Sequence, residues 1–426
     1  MKKIARNVLF FSITLIMISN LPLNGQETKK MNIKFVDYFF ENASPVNWYM
    51  QGDTAMRISV MYDYERESIN RQATHWHFKL IADPGTPVKL IFTNLDNIWN
   101  GRPGSDNPKP GVACFLSYDK INWEGILTTR LPGPKAEFYV EFIMKGSEVY
   151  IARMPPYTIT DLENFKAKIS GNPLVKITNI GKTVEKRPLE IIQIGNQNAP
   201  HSVIIRVRAH SWETGGNWAV EGLINKYLSV SAGSKKWVDN LCFYIMPMAH
   251  KDGVARGMTR FNLKGKDLNR DWNQEPDSVL CPEKYAFEKF IAELIRKGRR
   301  PDFGIDFHND SNGSISFGTH DKNDTIFMKN MQLFEKLMRK YTSFSEGVTS
   351  KWDTGSETGP LMSFSDGMMK KYGFEAIVYE LNSNWIRGLK KIPLKDDYMK
   401  VGENLNQVFY EYFNNEIRPA REKKVR

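Results

Sequence analysis

Cysteine is scarce: 426 residues contain three, Cys114, Cys242 and Cys281. No two of them have the spacing of a metal or redox pair, which excludes a disulfide scaffold and a cysteine-ligated zinc module. A single bridge remains open for an exported chain. Histidine is almost as rare, with seven residues, so an imidazole site has few candidates to draw on. Beyond the N-terminus no apolar run reaches membrane-spanning length, and no nucleic-acid motif accompanies the basic residues. The hydrophobic and charged fractions, 41% and 25%, are ordinary for a globular protein and exclude a disordered one.

What is present begins with an N-terminal targeting pattern. Lys2, Lys3 and Arg6 precede the apolar run Val8–Ile18, and the polar stretch Asn20–Gln26 follows. This is the layout of a secretory signal peptide, too short to span a bilayer comfortably. The expectation is a secreted or periplasmic protein with residues 1–25 removed and no stable membrane insertion afterwards. The formal charge of +11 would fall to 11 − 3 = +8 on losing those three cations, which favours acidic partners or surfaces. The basic end, residues 416–426, reads as a solvated tail.

Between about residues 28 and 155 the pattern is β-like. Trp76–Ile81, Val88–Phe92 and Phe138–Ile143 are strand candidates, separated by turn-rich segments such as Asn100–Pro110. We expect an antiparallel β-sandwich. Pro155-Pro156 marks its end, and Thr160-Asp-Leu-Glu163 has the form of a helix-opening capping box. From 156 to 415 strands alternate with amphipathic helices. The strand candidates are Leu189–Gly195, Val203–Ala209, Leu241–Met248, Phe303–His308 and Ala376–Leu381. The helix candidates are Trp218–Val230, Glu283–Lys297, Asp324–Tyr341 and Asp397–Phe413. The fold class is therefore α/β, a mixed sheet flanked by helices behind the sandwich. Ligands in such sheets gather beyond the carboxyl ends of the strands.

Three polar residues fall at those ends. His210 and Glu213 follow Val203–Ala209 three residues apart, and His308 closes Gly304–His308. Two imidazoles and a carboxylate with one position left open suit a catalytic zinc. Any of these alone would more often be a packed or surface residue. Glu380 ends the apolar strand Ala376–Glu380, where a carboxylate must be paired, protonated or functional. There it can take a proton from an attacking water and hand it to a leaving amine. Arg260, Asn269 and Arg270 lie within Arg260–Trp272, and guanidinium groups bind carboxylates bidentately or stabilise an oxyanion. His75 and His77 share one strand face, and His201 and His320 fall in loops; the plain reading for all four is structural.

His210-Ser-Trp-Glu213, Asp267-Leu-Asn-Arg-Asp-Trp272, Asp306-Phe-His308 and Tyr379-Glu-Leu381 occur in the order and approximate spacing of the M14 zinc metallocarboxypeptidases. The N-terminal half resembles the cytosolic-carboxypeptidase branch, in which a β-sandwich precedes the catalytic domain. Met154-Pro-Pro-Tyr-Thr-Ile-Thr-Asp-Leu162 is similar to the junction between the two. The resemblance implies one zinc ion held by His210, Glu213 and His308, with Glu380 as general base and acid. It implies Arg260 at the scissile carbonyl, Asn269 and Arg270 at the substrate's C-terminal carboxylate, and Asp267 orienting the first ligand histidine. The implied reaction is hydrolysis of the C-terminal amide bond of a peptide or peptide-like substrate by Glu-assisted attack of a zinc-activated water.

Two departures stand out. The family's substrate-capping tyrosine has no clear counterpart, and Lys351 and Trp352 occupy that region. His250 stands in Met248-Ala-His-Lys-Asp-Gly253, where relatives commonly carry an Asn-Pro-Asp-Gly-like turn. The same site would also serve a deacylase, or a peptidase acting on γ-D-glutamyl-diaminopimelate bonds of peptidoglycan. A third reading is an inert binding protein on this scaffold.

Overall fold

The computed structural model describes residues 32–417 except 67, 100, 104–110, 230, 232–233, 322 and 351–361. The targeting segment, most of the basic tail, and Lys351 and Trp352 lie outside the described residues.

Two five-stranded sheets form the N-terminal part. One runs Ile33–Asp37, His77–Ala82, Glu148–Ala152, Ala113–Ser117, Glu124–Leu127, with every pair antiparallel. The other runs Thr129–Arg130, Phe138–Ile143, Pro87–Thr93, Ala55–Val60, Val46–Met50. Here the expected antiparallel pattern is broken once, because Ala55–Val60 pairs with Pro87–Thr93 in parallel. Alternating residues of both sheets fill one core. Met56, Ile58, Phe78, Leu80, Leu90, Phe92 and Val149 are all fully buried in it. Cys114 belongs to this core, and all three cysteines are free thiols, so no bridge forms among them.

The junction helix is Ile159–Ile169. Its cap is Thr158 rather than Thr160: Thr158 is extended, its hydroxyl accepts from the Asp161 N–H, and the Asp161 carboxylate accepts in return from the Thr158 N–H. The expected box lies two residues too late because either threonine is followed three residues on by an acid. The sandwich decides between them, since Glu41 accepts from the N–H groups of Ile159 and Thr160, leaving both inside the first turn.

An eight-stranded mixed sheet follows, in the order Val175–Lys182, Pro188–Ile194, Leu241–Met246, His201–Val207, Phe303–Asp310, Glu375–Asn382, Ser314–Phe317, Gly347–Thr349. The four strands from Leu241–Met246 to Glu375–Asn382 are parallel. Their continuous apolar runs are buried on both faces. On one side, helices Gly215–Leu228 and Lys395–Asn415 pack so closely that a Cβ at Gly222 would meet the Met399 backbone and one at Gly402 the Ala219 backbone. These glycines permit the close approach. Pro282–Arg296 packs its apolar stripe, with Phe287 and Ile291, against Leu189 and Tyr244 on the other side.

Sandwich and α/β part join through Arg153. This fully buried guanidinium donates to Ser383 Oγ (2.9 Å) and Asn384 Oδ1 (2.8 Å), just beyond the strand carrying Glu380. Its carbon lies over the rings of Trp76 and Trp212. Burial pulls its pKa down to about 10. Residues from Asn32 onward thus form one compact unit.

Candidate active site

The strand His201–Val207 stops because Arg208 takes a left-handed conformation (φ 64°). Such a backbone needs support from its surroundings. Here the buried Arg208 side chain donates to the carbonyls of Ser211 and Tyr157 and to Asn217 Oδ1. The turn carries His210 and Glu213 off the sheet end. His308 arrives from the neighbouring parallel strand, and the donor atoms of His210, Glu213 and His308 lie within 4.8 Å of one another. All three side chains are buried.

Hydrogen bonding fixes which ring atoms meet. His210 turns Nε2 to Asp267 Oδ1 (3.1 Å), and His308 turns Nε2 to Asp306 Oδ2 (2.6 Å). A carboxylate on Nε2 keeps the proton there and leaves Nδ1 with its lone pair. The two Nδ1 atoms face each other at 3.1 Å, each 2.8 Å from one Glu213 oxygen. Two lone pairs and a carboxylate converging at that range repel unless a proton or a cation sits between them. The donor set and its outer carboxylates therefore fit a zinc ion. Burial alone would raise the Glu213 carboxyl, but the two imidazoles reverse the sign and hold it at about 2.

Arg206, one residue before the strand ends, grips Asp306 with Nε (2.8 Å) and Nη2, and donates from Nη1 to the Leu268 carbonyl (2.7 Å). Burial opposes ionisation of Asp306, yet Arg206 and His308 hold its carboxyl at about 2. Neither Arg206 nor the orienting role of Asp306 was read from the sequence. The available signal was a charged residue inside each of two otherwise apolar strands.

Glu380 is the register partner of His308 on the adjacent parallel strand. Its Oε2 is shielded from solvent without a hydrogen-bond partner among the described residues. Burial lifts its pKa well above the ordinary carboxylate range, and the nearby Asp310 and Glu213 add to this against His308 and Arg260. A carboxyl raised in this way holds a proton more tightly than an exposed one and can exchange it with a neighbouring group.

The loop Arg260–Trp272 faces this group. Arg260 donates from Nε to Asp267 Oδ2 (2.8 Å), and its Nη2 lies 2.8 Å from the same oxygen in an ion pair. Asp267 thereby links Arg260 to His210. Asn269 spends its amide oxygen on the Phe364 N–H (2.8 Å), which leaves its NH₂ without a partner among the described residues. Arg270 donates from Nη1 to the Asn269 carbonyl, while its buried Nε has no hydrogen-bond partner among the described residues. The structure thus brings together every residue singled out from the sequence for this site. It also adds groups from the sandwich. Asp63 accepts from the N–H groups of Thr259, Arg260 and Phe261, and Gln72 accepts from Arg260 Nη1 (3.3 Å). No local pattern announces such contacts, since they join residues nearly two hundred positions apart.

His250 is fully buried with both ring nitrogens unbonded, and burial holds its pKa at about 3. Its ring packs against Gly253, where a Cβ would collide with it.

Residues 162–385 match the family described as zinc carboxypeptidase, peptidase M14, which is over half of the chain. The chain belongs to this family. Among curated relatives it is 31% identical over 279 residues to cytosolic carboxypeptidase 4 of Mus musculus (58% of this chain, 24% of that one). It is 26% identical over 229 residues to cytosolic carboxypeptidase 1 of Danio rerio (49% and 18%). With cytosolic carboxypeptidase 6 of Mus musculus it shares 24% over 355 residues (76% and 65%). The match therefore spans from under a fifth to about two thirds of these relatives' length. Among solved structures, a metallo-carboxypeptidase from Burkholderia cenocepacia superposes with a TM-score of 0.77 at 19% identity, covering 90% of this chain and 99% of that one. One from Pseudomonas aeruginosa, in complex with (2-guanidinoethylmercapto)succinic acid, gives 0.74 at 17%, with 89% and 99% covered. These likenesses extend through the sandwich and establish the shared fold. Among the described residues no helix is long and apolar enough to cross a membrane.

Proposed function

We propose that this protein is a zinc-dependent metallocarboxypeptidase that hydrolyses the C-terminal amide bond of peptides or peptide-like substrates. The reading is carried by one observation: the His210–Glu213–His308 donor cluster has the Glu380 carboxyl, whose Oε2 has no hydrogen-bond partner among the described residues, on one side and the Arg260–Arg270 cations near it. Family membership and the cytosolic carboxypeptidase relatives support it.

Zinc bound by His210, Glu213 and His308 supplies a Lewis acid that polarises a carbonyl and lowers the pKa of water. Asp267 and Asp306 hold the two imidazoles with Nδ1 inward and so keep the donor set preformed. Asn269 and Arg270 bind the terminal carboxylate of the substrate, the first through its free NH₂, the second through its guanidinium. Arg260, locked by Asp267, donates to the oxygen of the scissile carbonyl as charge builds there. Glu380 takes a proton from the attacking water and passes it to the departing amine. The basic composition supports acidic or carboxylate-bearing substrates, and the N-terminal targeting pattern supports export to a periplasm or beyond.

Metal analysis of the purified protein tests the reading. We expect about one zinc per chain, lost in His308→Ala together with peptide hydrolysis. Full activity in metal-free protein would refute it.

A further inference from the structure

The two guanidiniums assigned above to the substrate share one aromatic neighbour from outside the catalytic domain. Trp99, on the short strand Ile98–Trp99 of the N-terminal part, lies 5.2 Å from the Arg260 guanidinium carbon and 5.5 Å from that of Arg270. Both distances lie within the range of a cation–π contact. Trp99 is 42% exposed, so its ring covers the two cations while part of it still faces solvent.

The ring is held in place. Trp99 pairs with Arg102 in a two-stranded hairpin whose turn uses Gly101 at φ 73°. Ile98 exchanges both backbone hydrogen bonds with Arg71 (2.9 Å each), and the Gly101 N–H donates to the Ile69 carbonyl (2.7 Å). The adjoining Gln72 accepts from Arg260, and the Arg66 N–H donates to the Gly265 carbonyl. Residues 63–66 and 68–72 thus strap the catalytic loop and carry the Trp99 hairpin against it.

The two cations differ in how they are secured. Arg260 is clamped by the Asp267 carboxylate through a hydrogen bond from Nε and an ion pair at Nη2. Among the described residues Arg270 makes one hydrogen bond, to the carbonyl of its own neighbour Asn269, and its buried Nε has no hydrogen-bond partner. Burial draws the Arg270 pKa down, and repulsion from Arg260 adds to this against the attraction of Asp267 and Glu380. An indole face offers negative potential to both without competing for the N–H donors that a carboxylate needs. We infer that Trp99 is a positioning residue contributed by the sandwich, holding Arg270 beside Arg260 in the orientation that receives a substrate's terminal carboxylate. On this inference, which rests on the carboxylate-binding reading of Arg270, the N-terminal sandwich is a working part of the substrate site.

The test compares zinc-loaded wild type, Trp99→Ala and Trp99→Phe on a peptide with a free C-terminal carboxylate. KM should rise about tenfold in Trp99→Ala, in proportion to the loss of a partly desolvated cation–π contact. kcat should change less than KM, and Trp99→Phe should restore most of the affinity while zinc content stays the same. An unchanged KM in Trp99→Ala overturns the inference, and so does a loss of kcat and thermal stability that Trp99→Phe fails to rescue. If wild type hydrolyses no peptide, the functional reading fails by itself. Calorimetric binding of the same peptide then decides the inference: about tenfold weaker binding to Trp99→Ala upholds it, while equal binding, or none to wild type, overturns it.

Discussion

His308 and Glu380 are direct neighbours across two parallel strands, Phe303–Asp310 and Glu375–Asn382, with one residue in the donor cluster and the other without a hydrogen-bond partner at Oε2 among the described residues. The sheet itself therefore fixes how far the proposed proton-transfer group sits from the metal site.

Removing the Glu380 base without changing its shape separates chemistry from metal binding. Glu380→Gln should lower kcat by about 10³-fold, within the range for loss of a general acid–base. Zinc content, measured by atomic spectroscopy, should remain at the wild-type level. Turnover near the wild-type rate would remove Glu380 from the reaction.

Arg270 acts on the substrate's carboxylate, so its effect should depend on that group. Arg270→Ala is expected to raise KM for a free-acid peptide by about 100-fold, the scale of losing one partner of a desolvated charge pair. The C-terminally amidated peptide, already a poor substrate, should respond little. Equal losses on both would assign Arg270 a structural role.

Asp306 reaches the site through His308 and Arg206. Asp306→Asn keeps the volume but removes the charge that fixes the His308 proton on Nε2. Zinc affinity, measured by competition with a chelator, should fall about 10- to 100-fold. An unaltered affinity would show that His308 holds its orientation by packing alone.

Glu283 opens the helix Pro282–Arg296, and its carboxyl accepts from Asn262 Nδ2 (3.0 Å) in the turn that shapes the catalytic loop. Burial raises its pKa from 4.5 to about 7. A raised folded-state value means that the native protein keeps a proton the unfolded chain has lost. The stability contribution is complete below about pH 4.5 and is lost as pH rises towards about 7. The linkage is about 3 kcal/mol. Denaturation series at pH 5 and pH 8 should show Glu283→Gln gaining stability over wild type at the higher pH. Parallel profiles for the two proteins would contradict this.

The sequence disclosed those parts of the site that obey a local rule. Val203–Ala209, Phe303–His308 and Ala376–Leu381 read as buried strands because they are continuous apolar runs; the first stops at Val207, and the other two run two residues past His308 and Glu380, to Asp310 and Asn382. Edge strands were harder. Val175–Lys182 carries Lys, Thr and Asn among its apolar residues and buries neither face fully, so its pattern is diluted. The remaining gaps come from long-range contacts. Asp63, Gln72 and Trp99 sit in turn-rich parts of the sandwich and reach Arg260 or Arg270 only after both halves have folded. The Thr158 cap likewise depends on Glu41, more than a hundred residues earlier.

The most direct measurement follows a matched peptide pair, identical except for a free acid or an amide at the C-terminus, incubated with zinc-loaded protein and read by mass spectrometry. The account predicts removal of single C-terminal residues from the free acid, at least about 100-fold slower cleavage of the amide, and loss of both on chelation. Cleavage of the two peptides at equal rates, or no cleavage by protein holding one zinc per chain, would contradict it.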